Sequence, residues 1–532
     1  MSSSSGPSTT PAPAEVPEAL LNRRLRRVDW RFLLPLPRVR RAVCYVGGDL
    51  HEGVALMAER VVPPETAIAP DCDLAVVVDP DEAALRAAWA ALRPGGVCYT
   101  EWTTTALAGP RRLRSRLQSA GFEGVRSYLP WRSLARAIAW IPLDSAAATR
   151  YFQRRLHARS PRRQLPARLL RSLVTLGAKA GLARPLCTLA RKPGEAESGD
   201  GAPVFFGTIR HGWRSWGLAG EPKGLSIMLL TGGPRSGSKV AGLVFAESST
   251  DPALIVKLAR SSQADAGLLQ EARTLSALDP RNRSGRVLAP AVVFSIDSKA
   301  LVAVGETAHP GAPLLTLLNR QNYRQFALQA TDWLIDLANT TRRDEPLSAR
   351  RIVQDIVAGF ELNFGGVIEP ASLAEARRIV SSLDGLPLIC EHRDFSPWNL
   401  FVTTDDRLAV FDWESSEPDG LPLLDPIYFL TYLAAALERE GPDAVTAAWH
   451  AAHDPKSLAG AVRRECLLRY ASGVRLDAAS VPALALLVWM IHSRSEYRRL
   501  VGDAGDRPTE EALRRSLFLR LWQAELDHQR TS

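Results

Sequence analysis

The hydrophobic positions of the chain follow two different patterns, one on each side of residue 200. Upstream, the predicted strands are 42–46, 74–78 and 97–101, and helices are predicted between them at 54–61 and 82–91. Such alternation is typical of a parallel sheet covered by helices. We therefore predict an α/β, Rossmann-like domain for residues 28–193.

Downstream of residue 200, the strands come first and the helices follow. The predicted strands are 225–231, 240–245 and 254–259, and a helix at 268–277 comes after them. The pattern is mostly helical beyond residue 324. A β-rich lobe followed by a helical lobe is predicted, so residues 204–532 form an α+β, bilobal domain with an N-lobe at about 204–307 and a C-lobe at about 308–532.

Two segments of biased composition bound these regions. Residues 1–27 are rich in Ser, Pro, Thr and Ala without apolar periodicity, so they bury too little surface to offset the entropy of ordering. Residues 194–203 combine Gly, Pro and small polar residues between two apolar-patterned regions. We predict a disordered tail at 1–27 and an interdomain linker at 194–203.

The composition is that of a globular protein large enough for two domains. Of the 532 residues, 46% are hydrophobic and 23% are charged, values that argue against disorder or a fibrous repeat over most of the length. The six cysteines lack the spacing of a zinc site or a disulfide framework. The apolar run at 483–491 is too short to span a membrane, and the N-terminus lacks the pattern of a signal peptide. We expect a cytoplasmic protein.

The positive charge is unevenly distributed. The formal net charge is +9, and the basic excess is concentrated between residues 111 and 192. A solvated, Arg-rich helix face is one interpretation. The other is a surface for membrane lipid or an acidic partner, above all in the basic helical stretch 149–189. We expect no nucleic-acid partner.

Candidate chemistry is concentrated in residues 390–414, CEHRDFSPWNLFVTTDDRLAVFDWE. Two short strands, 400–403 and 408–411, are predicted to form a hairpin that sets Asn399 and Asp412 side by side at its open end. Oxygen ligands beside a triphosphate suit Mg²⁺, which takes one or two protein ligands and fills its shell with waters and phosphate oxygens. The hairpin therefore predicts a magnesium site.

Asp394 lies five residues before Asn399, on the loop that enters the hairpin. There it can orient an acceptor hydroxyl and take its proton. The alternative is an apolar hairpin with polar residues in its loops and no catalytic role. The spacing of Asp394, Asn399 and Asp412 favours the catalytic interpretation.

A phosphotransferase also needs a cation on the nucleotide phosphates, held by an acidic partner on the following helix. Lys257 interrupts the otherwise apolar strand 254–259, and Glu271 follows in the predicted helix. Lysine is scarce in this chain and arginine abundant, so a lysine at this place is a specific signal. The alternative is a lysine on an edge strand whose ammonium reaches solvent.

A Gly-rich segment, TGGPRSGSK at 231–239, lies between two predicted strands ahead of Lys257. Without Cβ atoms, its glycines would let backbone N–H groups approach phosphates. A turn without a ligand is the alternative. The candidate nucleotide-binding residues of this loop are Gly232, Gly233, Ser236 and Gly237. Farther on, strand 301–307 stands where a hinge between the lobes would bind adenine.

The C-terminal motifs resemble those of the aminoglycoside phosphotransferase and choline kinase family: HRDFSPWN at 392–399 is similar to its catalytic loop and FDWE at 411–414 to its metal motif. The resemblance covers residues 204–532 and implies a protein-kinase-like fold, ATP, Mg²⁺ and a small-molecule hydroxyl acceptor. The implied roles are Asp394 as catalytic base, Asn399 and Asp412 as metal ligands, Lys257 as phosphate contact and Glu271 as its partner. Arg393 is a departure, because many such kinases have glycine there.

Residues 28–193 resemble a class I S-adenosylmethionine-dependent methyltransferase. The similar segments are 73–79, 91–99, 119–128 and 186–193. Only about 25 residues separate the first strand from the strand at 74, too few for the two further strands and helices, and for the ribose-binding acidic residue, that normally intervene. A truncated, noncatalytic domain is implied; a Rossmann-like module of other purpose is the alternative.

Three functional hypotheses remain. The leading one is a small-molecule kinase for an aminoglycoside-, sugar- or amino-alcohol-like acceptor. The others are a nucleotide-binding scaffold or regulator, and a bifunctional methyltransferase-kinase. Four acidic residues after the metal motif either line a site for a cationic or polyhydroxylated acceptor or cap the following helix: Glu414, Glu417, Asp419 and Asp425.

Overall fold

The N-terminal region consists of alternating strands and helices. The computed structural model describes residues 17–67, 69–103, 109–155, 164–180, 185–194, 201–233, 237–279, 281, 285–437, 443–504 and 507–531. The strands up to residue 194 are β1 (Val39–Cys44), β2 (Ala58–Val62), β3 (Cys72–Val78), β4 (Leu92–Trp102), β5 (Glu123–Trp131), β6 (Ala139–Pro142) and β7 (Leu186–Arg191). The helices are α1 (Glu18–Arg27), α2 (Gly48–Met57), α3 (Glu82–Ala91), α4 (Pro110–Ser119), α5 (Ala146–Arg155) and α6 (Gln164–Ala180).

In the C-terminal region most strands precede most helices, as predicted, although a short helix that was not predicted comes first. Its first part contains α7 (Phe205–Gly212), β8 (Ser226–Leu230), β9 (Lys239–Phe245), β10 (Leu254–Ala259), α8 (Asp265–Leu278), β11 (Val292–Asp297) and β12 (Val302–Thr307). The second part contains β13 (Gly311–Pro313), α9 (Leu314–Leu317), α10 (Tyr323–Thr341), α11 (Pro346–Phe364), α12 (Pro370–Val380), β14 (Ile389–Glu391), β15 (Leu400–Thr403), β16 (Leu408–Val410), β17 (Glu417–Gly420), α13 (Leu424–Ala435), α14 (Ala444–His453), α15 (Leu458–Val474), α16 (Val481–Ala504), α17 (Glu510–Arg514) and α18 (Leu517–Thr531).

One sheet runs through both regions. In the described part of the chain it has twelve strands, in the order β11-β12-β10-β9-β8-β6-β5-β7-β4-β3-β1-β2. Strands β2, β1, β3 and β4 pair in parallel, whereas β7 lies antiparallel between β4 and β5. The two regions meet at β6 and β8, where Trp140 pairs with Leu229.

A hydrophobic core also crosses the predicted linker. Trp30 and Trp140 from the N-terminal region share one buried cluster with Phe206 and Val244 from the region after it. The segment 194–203 therefore separates neither two sheets nor two cores, although its composition is that of a linker. Residues 195–200 of that segment lie outside the described residues.

Two local predictions are wrong. The predicted tail includes Glu18–Arg27, which forms α1 and buries Leu25, while residues 1–16 lie outside the described residues. The predicted helix 54–61 ends at Met57, because the β-branched Val61 and Val62 pair with β1. At 18–27, the Ser- and Pro-rich composition of the preceding residues obscured the apolar residues of a helix. At 58–62, the helical pattern of the preceding residues obscured a strand.

The basic stretch contains the amphipathic helix α6. Its Leu173 and Leu176 are 67% and 66% exposed, and Lys179 is exposed near them. None of the helices in the described ranges is both long and apolar enough to cross a bilayer. Contact of this surface with lipid stays a prediction.

The helical lobe contains a buried acidic group far from the predicted site. Glu525 of α18 is 3% exposed; Trp449 Nε1 donates to its Oε2 (3.3 Å), and His453 Nε2 lies 3.3 Å from the same oxygen. Burial alone would raise the pKa of Glu525, but the close contact with His453 and the charge of Arg463 outweigh it and lower that pKa to about 2. Ionised Glu525 therefore stabilises the lobe.

Glu525→Gln should lower the free energy of unfolding by about 3 kcal/mol at neutral pH. Since the folded protein holds this pKa below its ordinary value of 4.5, the contribution is fully present above about pH 4.5 and is lost as the pH falls through about 2. Urea unfolding across this range should show the two proteins converging in acid. Glu465→Gln, which alters an exposed pair with Arg324, should change stability by less than about 1 kcal/mol; equal effects of the two substitutions would contradict the assignment.

Candidate active site

The hairpin formed by β15 and β16 brings the predicted metal ligands together. Leu400 pairs with Val410, and Phe411 N–H donates to the carbonyl oxygen of Asn399 (3.0 Å). Asn399 and Asp412 therefore lie at the same open end, as the spacing predicted. Asp412 has a left-handed backbone, with φ of 71°, which turns the chain away from the strand.

Asp394 is hydrogen bonded to the same end of the hairpin. Asn399 Nδ2 donates to Asp394 Oδ2 and to its carbonyl oxygen, both at 2.9 Å. Burial, reinforced by the charge of Asp412, raises the pKa of Asp394 to about 7. A carboxylate with a pKa near neutrality is well suited to accept a proton.

His392 joins the loop of Asp394 to the loop of Asp412. Its Nδ1 accepts a hydrogen bond from Asp394 N–H (3.3 Å), so Nε2 carries the proton and donates to the Phe411 carbonyl (3.0 Å). Burial lowers the pKa of His392 to about 4. The ring is therefore neutral at pH 7 and acts as a support rather than a charge.

Arg393, the departure from the family pattern, has a left-handed backbone with φ of 62°, which explains why glycine suits this position. The carboxylate of Asp425 holds the loop in this conformation by accepting from His392 N–H (2.6 Å) and Arg393 N–H (2.8 Å). The Arg393 guanidinium pairs with buried Glu391 (3.2 Å) and with Glu417 (3.5 Å). These contacts hold a non-glycine residue where strain would otherwise oppose it.

Lys257 and Glu271 form the ion pair that the sequence predicted. Glu271 Oε1 also accepts from Trp413 N–H (2.7 Å), which connects α8 to the residue after Asp412. A second carboxylate was not predicted: Glu306 Oε2 of β12 lies 2.9 Å from Lys257 Nζ. Burial opposes ionisation of this lysine, but the charges of Glu271 and Glu306 prevail and raise the pKa of Lys257.

Lys239, at the start of β9, is a site residue that sequence reasoning missed. Its Nζ contacts Asp412 Oδ1 and lies 3.0 Å from Glu414 Oε2 and 3.3 Å from Glu271 Oε2. Because Lys257 pairs with Ala241 in the sheet, Lys239 lies on the same face as Lys257. Two features of the sequence could have indicated Lys239. It lies an even number of positions from the other cavity-facing residues of β9, and lysine is scarce in this chain.

The donors at the hairpin end fit magnesium. Asn399 uses Nδ2 for its hydrogen bonds, which leaves Oδ1 as an acceptor, and the Asp412 carboxylate already contacts one cation, the Lys239 ammonium. Within the described ranges, no group of three or more His, Cys, Asp or Glu side chains is suited to a metal ion. A site with Asn399 and Asp412 needs only two protein ligands, and it stays a prediction.

A cavity of about 260 Å³ lies between the two lobes. Lys239, Lys257, Asn399 and Asp412 line one part of it. The rest is mostly apolar and is lined by Leu230, Ala241, Leu243 and Ile255 above, Phe401 and Phe411 below, and residues 308–311 after β12, with Tyr151 at its edge. The strand predicted as a hinge thus leads directly into this cavity.

The Gly-rich segment connects β8 to β9, whose ends Leu230 and Lys239 line that cavity. Of its predicted nucleotide-binding residues, Gly232 has open space where a Cβ would be, and Gly233 packs so closely on Ser238 that a Cβ would clash with that side chain. Gly237 lies near Gln263. Ser236 lies outside the described residues. Phosphate binding by this loop stays a prediction.

A second cavity, of about 890 Å³, adjoins the first. Asp394 lines it, together with Glu414, Glu417, Glu496 and three arginines, Arg393, Arg498 and Arg499. The stacked rings of Tyr428 and His492, 4.0 Å apart, form part of its wall. This cavity is large and polar enough for a hydrophilic small molecule.

The four acidic residues after the metal motif have separate partners. Glu414 lies 3.0 Å from Lys239 Nζ, and Glu417 pairs with Arg393. Asp419 pairs with Arg343 on the surface, and Asp425 binds the backbone of the catalytic loop. Glu414 and Glu417 line the large cavity, and Asp419 and Asp425 do not. Of the two interpretations of these residues, an acceptor wall therefore applies to Glu414 and Glu417 alone, and none of the four caps α13, which has no side-chain cap hydrogen bond.

A β-rich lobe, a helical lobe and polar residues converging on the cleft between them define a kinase-like fold. Residues 241–461 match the family model described as the phosphotransferase enzyme family, APH. The match lies entirely within the C-terminal region and begins in β9. Comparison with curated proteins found no match.

Similar solved structures include several aminoglycoside phosphotransferases, all at low identity. A thermostable mutant of APH(4)-Ia in its apo form is 13% identical, with a TM-score of 0.37, over 57% of this chain and 94% of that one. ADP-bound APH(2'')-Ib is 13% identical, with a TM-score of 0.33, over 59% and 95%. An aminoglycoside-3'-phosphotransferase of type VIII is 17% identical, with a TM-score of 0.29, over 50% and 88%.

Proposed function

We propose that residues 204–532 form an ATP-dependent phosphotransferase that transfers the γ-phosphate to a hydroxyl group of a small molecule. One observation carries the proposal: Asp394 lines the large polar cavity, while Asn399, hydrogen bonded to it at 2.9 Å, lines the cavity between the lobes. Asp394, the proposed proton acceptor for the hydroxyl substrate, is thus in contact with Asn399, a proposed ligand of the metal that accompanies ATP.

In this reaction the acceptor oxygen attacks the γ-phosphorus, and the bond from that phosphorus to the bridging β-oxygen breaks. The hydroxyl proton passes to the Asp394 carboxylate, and ADP leaves. Lys257 would contact the phosphates, with Glu271 fixing its ammonium, while Gly232, Gly233, Ser236 and Gly237 would cover them. Magnesium held by Asn399 and Asp412 would neutralise charge on the phosphate oxygens. Catalysis would come mainly from positioning and charge neutralisation.

The acceptor is proposed to be aminoglycoside-, sugar- or amino-alcohol-like, because the cavity beside Asp394 is polar and broad. Its walls come from α13, α16 and α18. The C-terminal part of the helical lobe therefore supplies most of the lining, and residues 340–385 contribute none of it.

The test is formation of ADP and a phosphorylated product from Mg-ATP with a panel of sugars, aminoglycosides and amino alcohols. Turnover of any member, abolished in Asp394→Asn, would support the proposal. ATP binding without turnover on any member or on a metabolite extract would instead support the nucleotide-binding scaffold.

Lys239→Met should increase the affinity for Mg²⁺ in the absence of nucleotide. The substitution removes the ammonium from between Asp412 and Glu414, so a divalent cation has less competition for their oxygens. Thermal unfolding across a magnesium series should show a larger rise in melting temperature for this variant than for the wild-type protein. Lys223→Met, which removes an exposed lysine paired with Glu221, should respond as the wild-type does; a Lys239 variant indistinguishable from it would contradict the prediction.

We further propose that the N-terminal region is a noncatalytic relative of class I methyltransferases. The segments that carry the resemblance are neighbouring strands, in the order β3-β4-β7-β5. A single strand, β2, follows β1 before β3, one fewer than that family normally has. Calorimetry of the full chain with S-adenosylmethionine should detect no heat of binding. A measurable heat would favour the bifunctional methyltransferase-kinase instead.

A cytoplasmic location also stays a prediction.

A further inference from the structure

We infer that the N-terminal region builds part of the nucleotide site: Tyr151 forms the wall against the nucleobase, and Asp29 positions the Gly-rich loop through Arg260. The inference rests on the proposed function, because it assigns the cavity between the lobes to a nucleotide. It gives two residues outside the phosphotransferase-family match a part in substrate binding, a direct one for Tyr151 and an indirect one for Asp29.

Tyr151 belongs to α5, which packs over the cleft-facing side of the sheet. Its ring lies 5.4 Å from the ring of Phe245 at the end of β9. Phe245, Leu243 and Ala241 alternate along that strand on the face that carries Lys257. Among the described residues that line the 260 Å³ cavity, Tyr151 alone comes from the chain before residue 204.

The position of Tyr151 along the cavity identifies what it would touch. Lys239 and Phe245 occupy opposite ends of the seven-residue strand β9, so they are separated by about 20 Å. The lysines at one end suit phosphates, which leaves the other end for the base, between Ile255 and Phe401 and beside Asp251 and Pro252 of the β9–β10 connection. Tyr151 closes this end, where an aromatic ring can contact a purine.

Asp29 acts on the other end of the site. Its carboxylate receives both arms of Arg260, from Nε to Oδ1 and from Nη2 to Oδ2, each at 3.0 Å. Both side chains are completely buried. Arg260 lies three residues after Lys257, so this pair connects the N-terminal region to the strand that carries the phosphate-binding lysine.

The same guanidinium holds the start of the Gly-rich loop. Arg260 Nη1 donates to the carbonyl of Gly233 (3.0 Å), and Nη2 donates to the carbonyl of Thr231 (2.9 Å). Thr231 is held in addition by the N-terminal region, since its N–H donates to Ile138 (3.0 Å) and its Oγ1 donates to Ala137 (2.8 Å). Asp29 thereby fixes the orientation of the guanidinium that makes two of these four loop contacts, those to Gly233 and Thr231.

The two roles predict different ligand dependence. Tyr151→Ala should weaken binding of Mg-ATP about five- to tenfold, because base stacking is lost, and should leave binding of inorganic tripolyphosphate unchanged. Tyr151→Phe should bind both ligands as the wild-type protein does. Asp29→Asn should weaken both ligands by the same factor, about fivefold, because a less ordered loop binds phosphates less well.

The experiment is calorimetry of full-length protein with each ligand in magnesium, without an acceptor. Tyr45→Ala and Asp73→Asn are matched controls: Tyr45 lies in the N-terminal region away from the cavity, and Asp73 pairs with Arg93 there (2.6 Å). Melting temperatures confirm that each variant is folded; if Asp29→Asn is not, Arg260→Lys replaces it, which keeps the charge and removes the two-armed contact.

Loss of tripolyphosphate binding in Tyr151→Ala, or unchanged ATP binding in both variants, would overturn the inference. Because no acceptor is present, these outcomes do not depend on turnover. A protein that binds ATP as expected but phosphorylates nothing would refute the proposed function alone. A protein that turns over an acceptor and is indifferent to Tyr151 and Asp29 would refute this inference alone.

Discussion

Replacement of Asp394 by asparagine is expected to reduce the rate of phosphoryl transfer by about 10²- to 10⁴-fold. The amide cannot accept the acceptor's proton, whereas its oxygen can keep the hydrogen bond from Asn399 Nδ2. Because Lys239 and Lys257 are untouched, affinity for Mg-ATP should stay within about twofold of the wild-type value. Steady-state kinetics with any accepted acceptor, combined with calorimetry for ATP, measures both quantities.

Asp332→Asn provides the matched comparison. Asp332 lies on α10, half-exposed and paired with Arg469, so its substitution should leave kcat and KM unchanged. Undiminished kcat in Asp394→Asn would show that another group takes the proton, and a parallel loss of ATP affinity would show that Asp394 supports the nucleotide instead.

Lys257→Met should remove measurable turnover and should also lower the free energy of unfolding by about 3 kcal/mol. The lysine neutralises two carboxylates, Glu271 and Glu306, and both are fully buried. Without it, one or both must stay charged in an apolar setting or take up a proton. Urea unfolding and steady-state kinetics test the two effects separately.

The double variant Lys257→Met/Glu306→Gln should recover part of the lost stability and none of the activity, since it removes one of the unpaired charges but restores no phosphate contact. Lys456→Met, which alters an exposed lysine of the helical lobe, should change neither property. A double variant no more stable than the single one would show that Glu306 is not a source of the penalty.

Much of the site could be predicted because it depends on short-range geometry. The hairpin between Asn399 and Asp412 is specified by two apolar runs with polar residues between them, and a hairpin must return the chain to its start. The polar interruption of an apolar strand likewise identified Lys257. In each case the signal lies within a few residues of the side chain that it predicts.

The residues that were missed depend on contacts between distant segments. Lys239 belongs to the site only because β9 pairs with β10 in one register. Asp425 follows the metal motif and was weighed as an acceptor ligand or a helix cap, yet its carboxylate binds backbone groups more than 30 positions upstream. In the sequence, Glu306 is only a polar residue near the end of the predicted hinge strand, and nothing near it indicates a contact with Lys257. The order of polar and apolar residues along a chain does not show which distant segments contact each other.

The linker prediction shows the same limit at larger scale. Gly, Pro and small polar residues at 194–203 correctly indicate a connection without regular structure on its described residues. Composition cannot tell whether the units on either side remain separate. Whether they remain separate depends on the pairing of β6 with β8, in which Trp140 lies opposite Leu229. These strands are about 90 positions apart in the sequence.

The junction of β6 and β8 has a practical consequence for anyone who trims the chain to its family-matching part. A fragment that began after the linker would leave β8 with a bare row of peptide N–H and C=O groups, beside the apolar surface that Trp30 and Trp140 now cover. Exposed edges of this kind recruit other strands. Such a fragment should self-associate. Its inactivity would then result from the exposed edge of the sheet and not from the loss of a catalytic group.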